Sequence, residues 1–341
     1  MKATIGAQEQ TFAAMNKKTT PALRLRSFAG DGDFPAMADV ANAVFVADKM
    51  GWIRTPEHIR RDYARFTDFD PSGDIVMAEL DGQLVGYVRT SHWIDENNWL
   101  AQGQVGFVHP AFRRRGIGGE LLRWVEARQR EVARDQVGVS VHHVFVTQGE
   151  VGRAAMLRLA GYVPARHFML MERPSLDDIP DVSLPEGFEV RPVQSEQLRP
   201  IFDAHMEALQ GHWGVAAPKP GDFERWTTLP SFQPHLWQVA WHIESGRVAG
   251  QVKPFINEEQ NTTQNRRRGE TEFISVGAPW RRRGLARALI ARALHAQRDA
   301  GMNESVLGVD ADNAHDAARL YESCGFRVVQ RNVVLRKRVD R

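Results

Sequence analysis

The chain has 341 residues, a length that suits two domains of ordinary size. Its 44 Lys and Arg against 42 Asp and Glu leave a net charge of +2, which argues against nucleic acid or an anionic membrane as the main partner. One cysteine, Cys324, excludes an intrachain disulfide and a multi-cysteine zinc site, and no run of about 18 apolar residues offers a membrane span, so a cytoplasmic place is expected.

Residues 1–21 are rich in Gln, Thr and Lys, without an apolar core, and are expected to form a flexible tail. Ile75 to Gly86 alternates about an Asp81-Gly82 pair and predicts a hairpin. An apolar stretch from Val105 to Pro110 then leads into Arg113-Arg114-Arg115-Gly116-Ile117-Gly118. Leu121, Leu122, Val125 and Val132 follow on one helical face. His142-His143 lies in an apolar strand without metal-ligand companions. Pro174 to Glu186, with three prolines and four acids, reads as a linker.

The pattern then repeats. A second hairpin runs from Trp237 to Gly250, and Phe273 to Pro279 leads into Arg281-Arg282-Arg283-Gly284-Leu285-Ala286, 168 positions after the first such run. Leu285, Leu289, Ala293 and Leu294 mark its helical face. Gly161-Tyr162 returns as Gly325-Phe326, 164 positions on, so four extra residues lie between Gly250 and Gly284. The polar stretch Asn257 to Glu270 is the expected loop, and its Arg266-Arg267-Arg268 triplet is expected to be solvated. A period this long marks a duplicated domain. The expected organisation is a tail (1–21), a first domain (22–173), a linker (174–186) and a second domain (187–341), each domain α/β or α+β.

A strand, then Arg-x-x-Gly-x-Gly/Ala, then a helix is suited to a pyrophosphate. Helix N-termini present unpaired N–H groups, glycine allows close approach, and arginine adds charge. The Rossmann and P-loop patterns are absent.

Val108 to Gly118 and Val276 to Ala286 resemble motif A of the GCN5-related N-acetyltransferases. Asp310-Ala311-Asp312-Asn313 with Leu320 to Phe326 resembles the family's motif B. Tandem members of that family have the same two-copy plan. The resemblance implies a mixed, splayed sheet in each domain, with acetyl-CoA wedged in it and no metal. Ile274, Ser275 and Val276 would line the acetyl side in the second copy, with Phe107 and Val108 at the matching place in the first. Arg281 to Ala286 and Arg113 to Gly118 would hold pyrophosphate, and Asn313 would contact the cofactor. Tyr321 would protonate the departing thiolate, and a phenol of ordinary pKa, about 10, is protonated at neutral pH. The reaction implied is direct attack by a primary amine, of a small molecule or peptide, on the thioester.

Strand alternation places Glu272 with Glu270, Ile274 and Val276, making Glu272 the candidate base. Counting back through the repeat puts Leu157, Gly149 and Gln104 at the positions of Tyr321, Asn313 and Glu272, so the second copy is expected to be catalytic and the first not. His205, His212, Trp213, Phe223 and Trp226 form a candidate aromatic wall for an apolar or cationic acceptor. An acyl-CoA-binding sensor and a transferase of longer acyl groups stay open, as do monomer and homodimer.

Overall fold

In a computed structural model that describes residues 22–66, 68–134, 136–215, 217–312 and 317–340, Asp81 and Gly82 turn the first hairpin at φ 52° and 78°. That is the conformation for which an Asp-Gly pair is favoured. The tail 1–21 and Asn313 lie outside the described residues. The chain forms two compact units whose boundaries do not follow the two sequence copies.

One unit comprises 22–47, Arg54–Thr90 and Val105–Val125. It holds β1 (Arg24–Ser27), α1 (Phe34–Ala47), α2 (Pro56–Tyr63), α3 (Pro71–Asp74) and β2 (Ile75–Leu80). Parts of β3 (Gln83–Ile94), β4 (Leu100–Val108) and α4 (Ile117–Arg134) also belong to it. β2 pairs antiparallel with β1 and with β3. Thr55 and His58 start α2 by exchanging hydrogen bonds, each 3.1 Å, and Pro56 presets the first helical φ. Met37 and Val40 of α1 pack on Ile75, Met77 and Tyr87.

The other unit comprises Asp48–Ile53, Ser91–Gln104 and 126–340. It adds β5 (Ser140–Thr147), α5 (Val151–Leu159), β6 (Val163–Arg173), β7 (Phe188–Val190), α6 (Leu198–Ala208) and α7 (Asp222–Thr227). It continues through β8 (Gln238–His242), β9 (Val248–Val252), β10 (Phe255–Ile256), α8 (Glu258–Thr263), β11 (Arg268–Glu270) and β12 (Ser275–Val276). It ends with α9 (Leu285–Asp299), β13 (Glu304–Asp310), α10 (Ala317–Ser323) and β14 (Arg327–Arg338).

Its larger sheet runs β4-β5-β14-β6-β13-β11-β10, and a second runs β12-β9-β8-β7. The copies exchange their last strands in the larger sheet. β14 lies antiparallel between β5 and β6, and β6 lies antiparallel between β14 and β13. Arg166 clamps Asp310 bidentately across this junction, at 2.7 and 2.9 Å. Buried Arg173 donates to the Cys324 carbonyl at 2.6 Å. Gly325, at φ +86°, is favoured there, because a Cβ would be strained and would stand 1.6 Å from Arg173 Nη1, forcing that side chain to shift.

Two expectations need correction. Asn257–Glu270 is not a bare loop: it contains α8, capped by the Asn257 side chain, and β11. The third arginine triplet is not simply solvated either. Arg268 pairs with Glu304 at 2.7 Å and Glu172 at 3.2 Å, and the Arg267 carbonyl accepts the Asn303 N–H. The stretch 174–186 contains no helix or strand, yet it is anchored: Leu176 is buried and its N–H reaches the Asn303 carbonyl.

Candidate active site

The site of the second copy begins where one strand leaves its sheet. β11 runs parallel to β13, and the Thr271 N–H to Val306 carbonyl bond, 2.8 Å, is the last rung between them. Phe273 then takes a left-handed φ of 53°, strained for an aromatic residue, and the chain re-enters the second sheet as β12 beside β9. β12 is the edge of its sheet, so β12 and β13 diverge and leave a fork. The kink breaks the period-two alternation from which Glu272 was proposed, but the residue falls at the fork nonetheless. Its carboxylate reaches across and accepts the Gly308 N–H at 2.8 Å.

Burial, more than the neighbouring Glu270, raises the Glu272 pKa to about 7, although the Gly308 N–H pulls it down. Tyr321, on α10, is buried, and its hydroxyl is pushed upward by burial first and then by the Glu272 charge. The site thus holds a carboxyl poised near neutrality and a phenol that stays protonated.

Downstream of β12 the glycine loop is held by one local bond and two to distant parts of the chain. Gly277 N–H donates to Ala249 O at 2.9 Å, and Arg281 Nε donates to Val276 O at 3.0 Å. Arg281 Nη2 also reaches the Ala208 carbonyl at 3.3 Å, so this arginine straps the loop to β12 and to the end of α6. Arg282 and Arg283 are exposed. Gly284, at φ +84°, opens α9 without a side chain to cap it, while Leu285 is buried beneath and Ala286 half-buried. The first copy forms the same loop within its own unit. Arg113 Nε reaches Val108 O at 3.4 Å, Arg114 and Gly116 take φ 63° and 83°, and Ile117 is buried. The matching pair in the second copy, Arg282 and Gly284, takes 63° and 84°. Arg114 and Arg115 are exposed, Gly118 half-buried, and Phe107 packs edge-on against Phe45 and Tyr87.

Both copies match the acetyltransferase (GNAT) family, at residues 40–162 and again at 198–326. The chain belongs to that family. A mycothiol acetyltransferase from Thermomonospora curvata is 32% identical over 256 residues, 72% of this chain and 76% of the relative. One from Thermobispora bispora is 30% identical over 303 residues, 86% and 92% of the two chains. The crystal structure of a GCN5-related N-acetyltransferase from Sphaerobacter thermophilus superposes with a TM-score of 0.73 at 26% identity, covering 94% of this chain and 96% of that one. The chain is therefore a tandem GNAT acetyltransferase with a mixed α/β fold.

The aromatic wall of this acetyltransferase is split. Trp213 stacks on His143, with ring centroids 5.8 Å apart. His205 Nδ1 is 3.0 Å from Ser275 Oγ on β12, and burial, then Lys253 and His212, lower its pKa to about 3. Trp226, Trp237 and Phe273 surround the ammonium of Lys253, with centroids at 5.0, 5.7 and 5.5 Å. Lys253 is 1% exposed, and burial lowers its pKa to about 7. Burying an unpaired ammonium costs several kcal/mol, of which cation–π contact returns about 2. The ring of Trp226 thus already faces an amine of this chain. Sequence reasoning missed Lys253. Its signal is a lysine immediately after the apolar run Val248–Val252.

In the first copy, Leu157 is buried where the second has Tyr321, and the Gln104 amide donates to the Tyr162 hydroxyl at 2.9 Å. Gly149 lies so close to Asp48 that a Cβ would be 1.9 Å from its carbonyl oxygen.

Proposed function

We propose that the second copy transfers acetyl from acetyl-CoA to a primary amine of a small molecule or peptide. The observation that carries this reading is the fork between β12 and β13, which holds Glu272 against the Gly308 N–H and leads directly into the glycine loop. Pyrophosphate sits on the N–H groups at the start of α9, with charge from Arg282 and Arg283. An N–H on the open edge of β12 (Ile274 to Val276) receives the carbonyl oxygen as it gains charge. Glu272, with its pKa near 7, takes a proton from the incoming ammonium, and the amine attacks the thioester. The C–S bond breaks, Tyr321 gives its proton to the leaving thiolate, and the second proton shed by the new amide nitrogen returns to the tyrosinate. The relatives' name supports acetyl transfer as the reaction class.

The first copy is read as non-catalytic, because Leu157 and Gln104 supply neither acid nor base. Its loop, with the same backbone as the second, supports cofactor binding there without turnover. The domain boundaries at 173 and 187 stand in this reading as functional limits, although the compact units cut across them. The single buried cysteine supports a cytoplasmic place.

Calorimetric titration of the whole chain with acetyl-CoA, alongside Gly116→Glu and Gly284→Glu, tests the reading. The expected stoichiometry is two, falling to one in either variant. Loss of binding only with Gly284→Glu removes the first site, and no binding in any folded form overturns the reading.

A further inference from the structure

The strand exchange makes two junctions between the copies, β6 against β13 and β14 against β5, and they are not alike. Counting 164 positions through the repeat, His167 and Asp312 at the first correspond to Arg331 and Gln148 at the second. Both junctions use the same bond. The His167 N–H donates to Asp312 Oδ2, and the Arg331 N–H to Gln148 Oε1, each at 2.9 Å. The charged clamp is made only once. Arg166 holds Asp310 at 2.7 and 2.9 Å, whereas the corresponding residues are Gln330 and Val146, which cannot form an ion pair. Strand exchange therefore does not require the clamp.

Asp310 ends β13, and the chain after it leads to Asn313 and then to Tyr321 on α10. Asp310 also accepts the Asp312 N–H at 3.0 Å, and the Ala311 N–H donates to the His167 carbonyl at 2.9 Å. Arg166 and His167 thus hold the whole run Asp310 to Asp312 of the other copy. The same guanidinium lies 6.0 Å from the ring of Trp213. Trp213 follows α6, whose Ala208 carbonyl accepts from Arg281 and whose His205 meets Ser275. Two segments tied to the second copy's site therefore converge on one residue of the first.

We propose that Arg166 is a positioning residue for the transfer: through Asp310 it fixes the segment that brings Asn313 to the cofactor and leads into α10 with Tyr321. The copy that lacks an acid and a base thus serves the copy that has them. The inference rests on the acetyl-transfer reading above. A bidentate arginine fixes both the distance and the orientation of a carboxylate. The pair is mostly buried, with side chains 23% and 18% exposed, so salt screens it less than a surface pair. A shift of about 1 Å in a positioning element can cost about 10²-fold in rate.

The test is calorimetric titration of the full chain with acetyl-CoA, in a Gly116→Glu background so that the second copy is the site read. Arg166→Met should weaken binding by about tenfold or more, and Asp310→Asn by about fivefold or more. The double variant should match Arg166→Met within about twofold, because both changes remove one interaction. Lys337→Met is the control. It breaks a different ion pair between the copies, Lys337 of β14 with Glu126 of α4 at 3.0 Å. It should lower the melting temperature as Arg166→Met does, yet keep the acetyl-CoA affinity within about twofold. Hydrogen exchange of the α10 amides should be about tenfold faster in Arg166→Met than in Lys337→Met, with the α9 amides alike. Full affinity in Arg166→Met, an equal loss in Lys337→Met, losses that multiply in the double variant, or unchanged α10 exchange overturns the proposal. If Arg166→Met does not fold, Asp310→Asn decides, and full affinity there overturns it. Failure of the Gly116→Glu parent to bind acetyl-CoA counts against the transferase reading instead.

Discussion

Replacing Glu272 by Gln isolates one proton. The amide keeps the shape and an oxygen for the Gly308 N–H, 2.8 Å away, but cannot ionise. In the folded chain burial lifts the carboxyl from an ordinary 4.5 to about 7. Between those values the native state holds a proton that the unfolded chain has released. Wild-type stability therefore falls as pH rises through this window, by about 1.4 kcal/mol per pH unit. The full loss approaches about 3 kcal/mol above pH 7, whereas at pH 5 it is under about 1 kcal/mol. The glutamine variant lacks this slope. Urea unfolding at pH 5 and pH 8 should show it gaining on wild type by about 2 kcal/mol between the two. Acetyl transfer should fall by about 10² to 10⁴, and the rise of wild-type rate through pH 7 should vanish. A stability gap that is the same at both pH values would refute the argument that burial holds the proton on Glu272.

Tyr321→Phe keeps the buried volume and removes the proton donor. It should lower kcat by about 10² with little change in KM for acetyl-CoA, and an unchanged kcat would remove Tyr321 from the acid role. Gly325→Ala and Gly187→Ala both place alanine at φ +86°, but only the first drives a Cβ into Arg173. Urea unfolding should show a cost of about 1 kcal/mol at Gly187 and about 3 kcal/mol at Gly325, and equal costs would show that Arg173 moves aside freely.

Much of this was legible in the residues. The Asp81-Gly82 turn, the two arginine-glycine loops and the paired Gly161 and Gly325 are local devices, each fixed by its own φ, and the repeat made them recognisable. Tyr321 was singled out by its position in the motif and Glu272 by strand alternation. The rest depends on contacts distant in sequence. The kink at Phe273 overrides strand alternation because the chain changes sheets there. Strands with similar patterns do not announce their partners, so the insertion of β14 between β5 and β6 left no trace. The polar stretch after Asn257 is tied down where Arg268 pairs with Glu172 and Glu304, the first of them in the other copy. The cage around Lys253 draws its rings from three separate places in the chain.

The exchanged strands also set a schedule for synthesis. β5 ends at Thr147, and the strand that covers its free edge begins at Arg327. A ribosome adding about 5–20 residues per second needs roughly 10–40 s to cross that interval. Throughout it the first copy carries an open edge, with Phe145 on its surface, and β6 waits for its first neighbour until β13 is made at Glu304–Asp310. The first copy therefore cannot mature ahead of the second, as sequential domains usually do. The nascent chain is a natural client for chaperones, and truncations that spare every residue of the first copy should still leave it prone to aggregate.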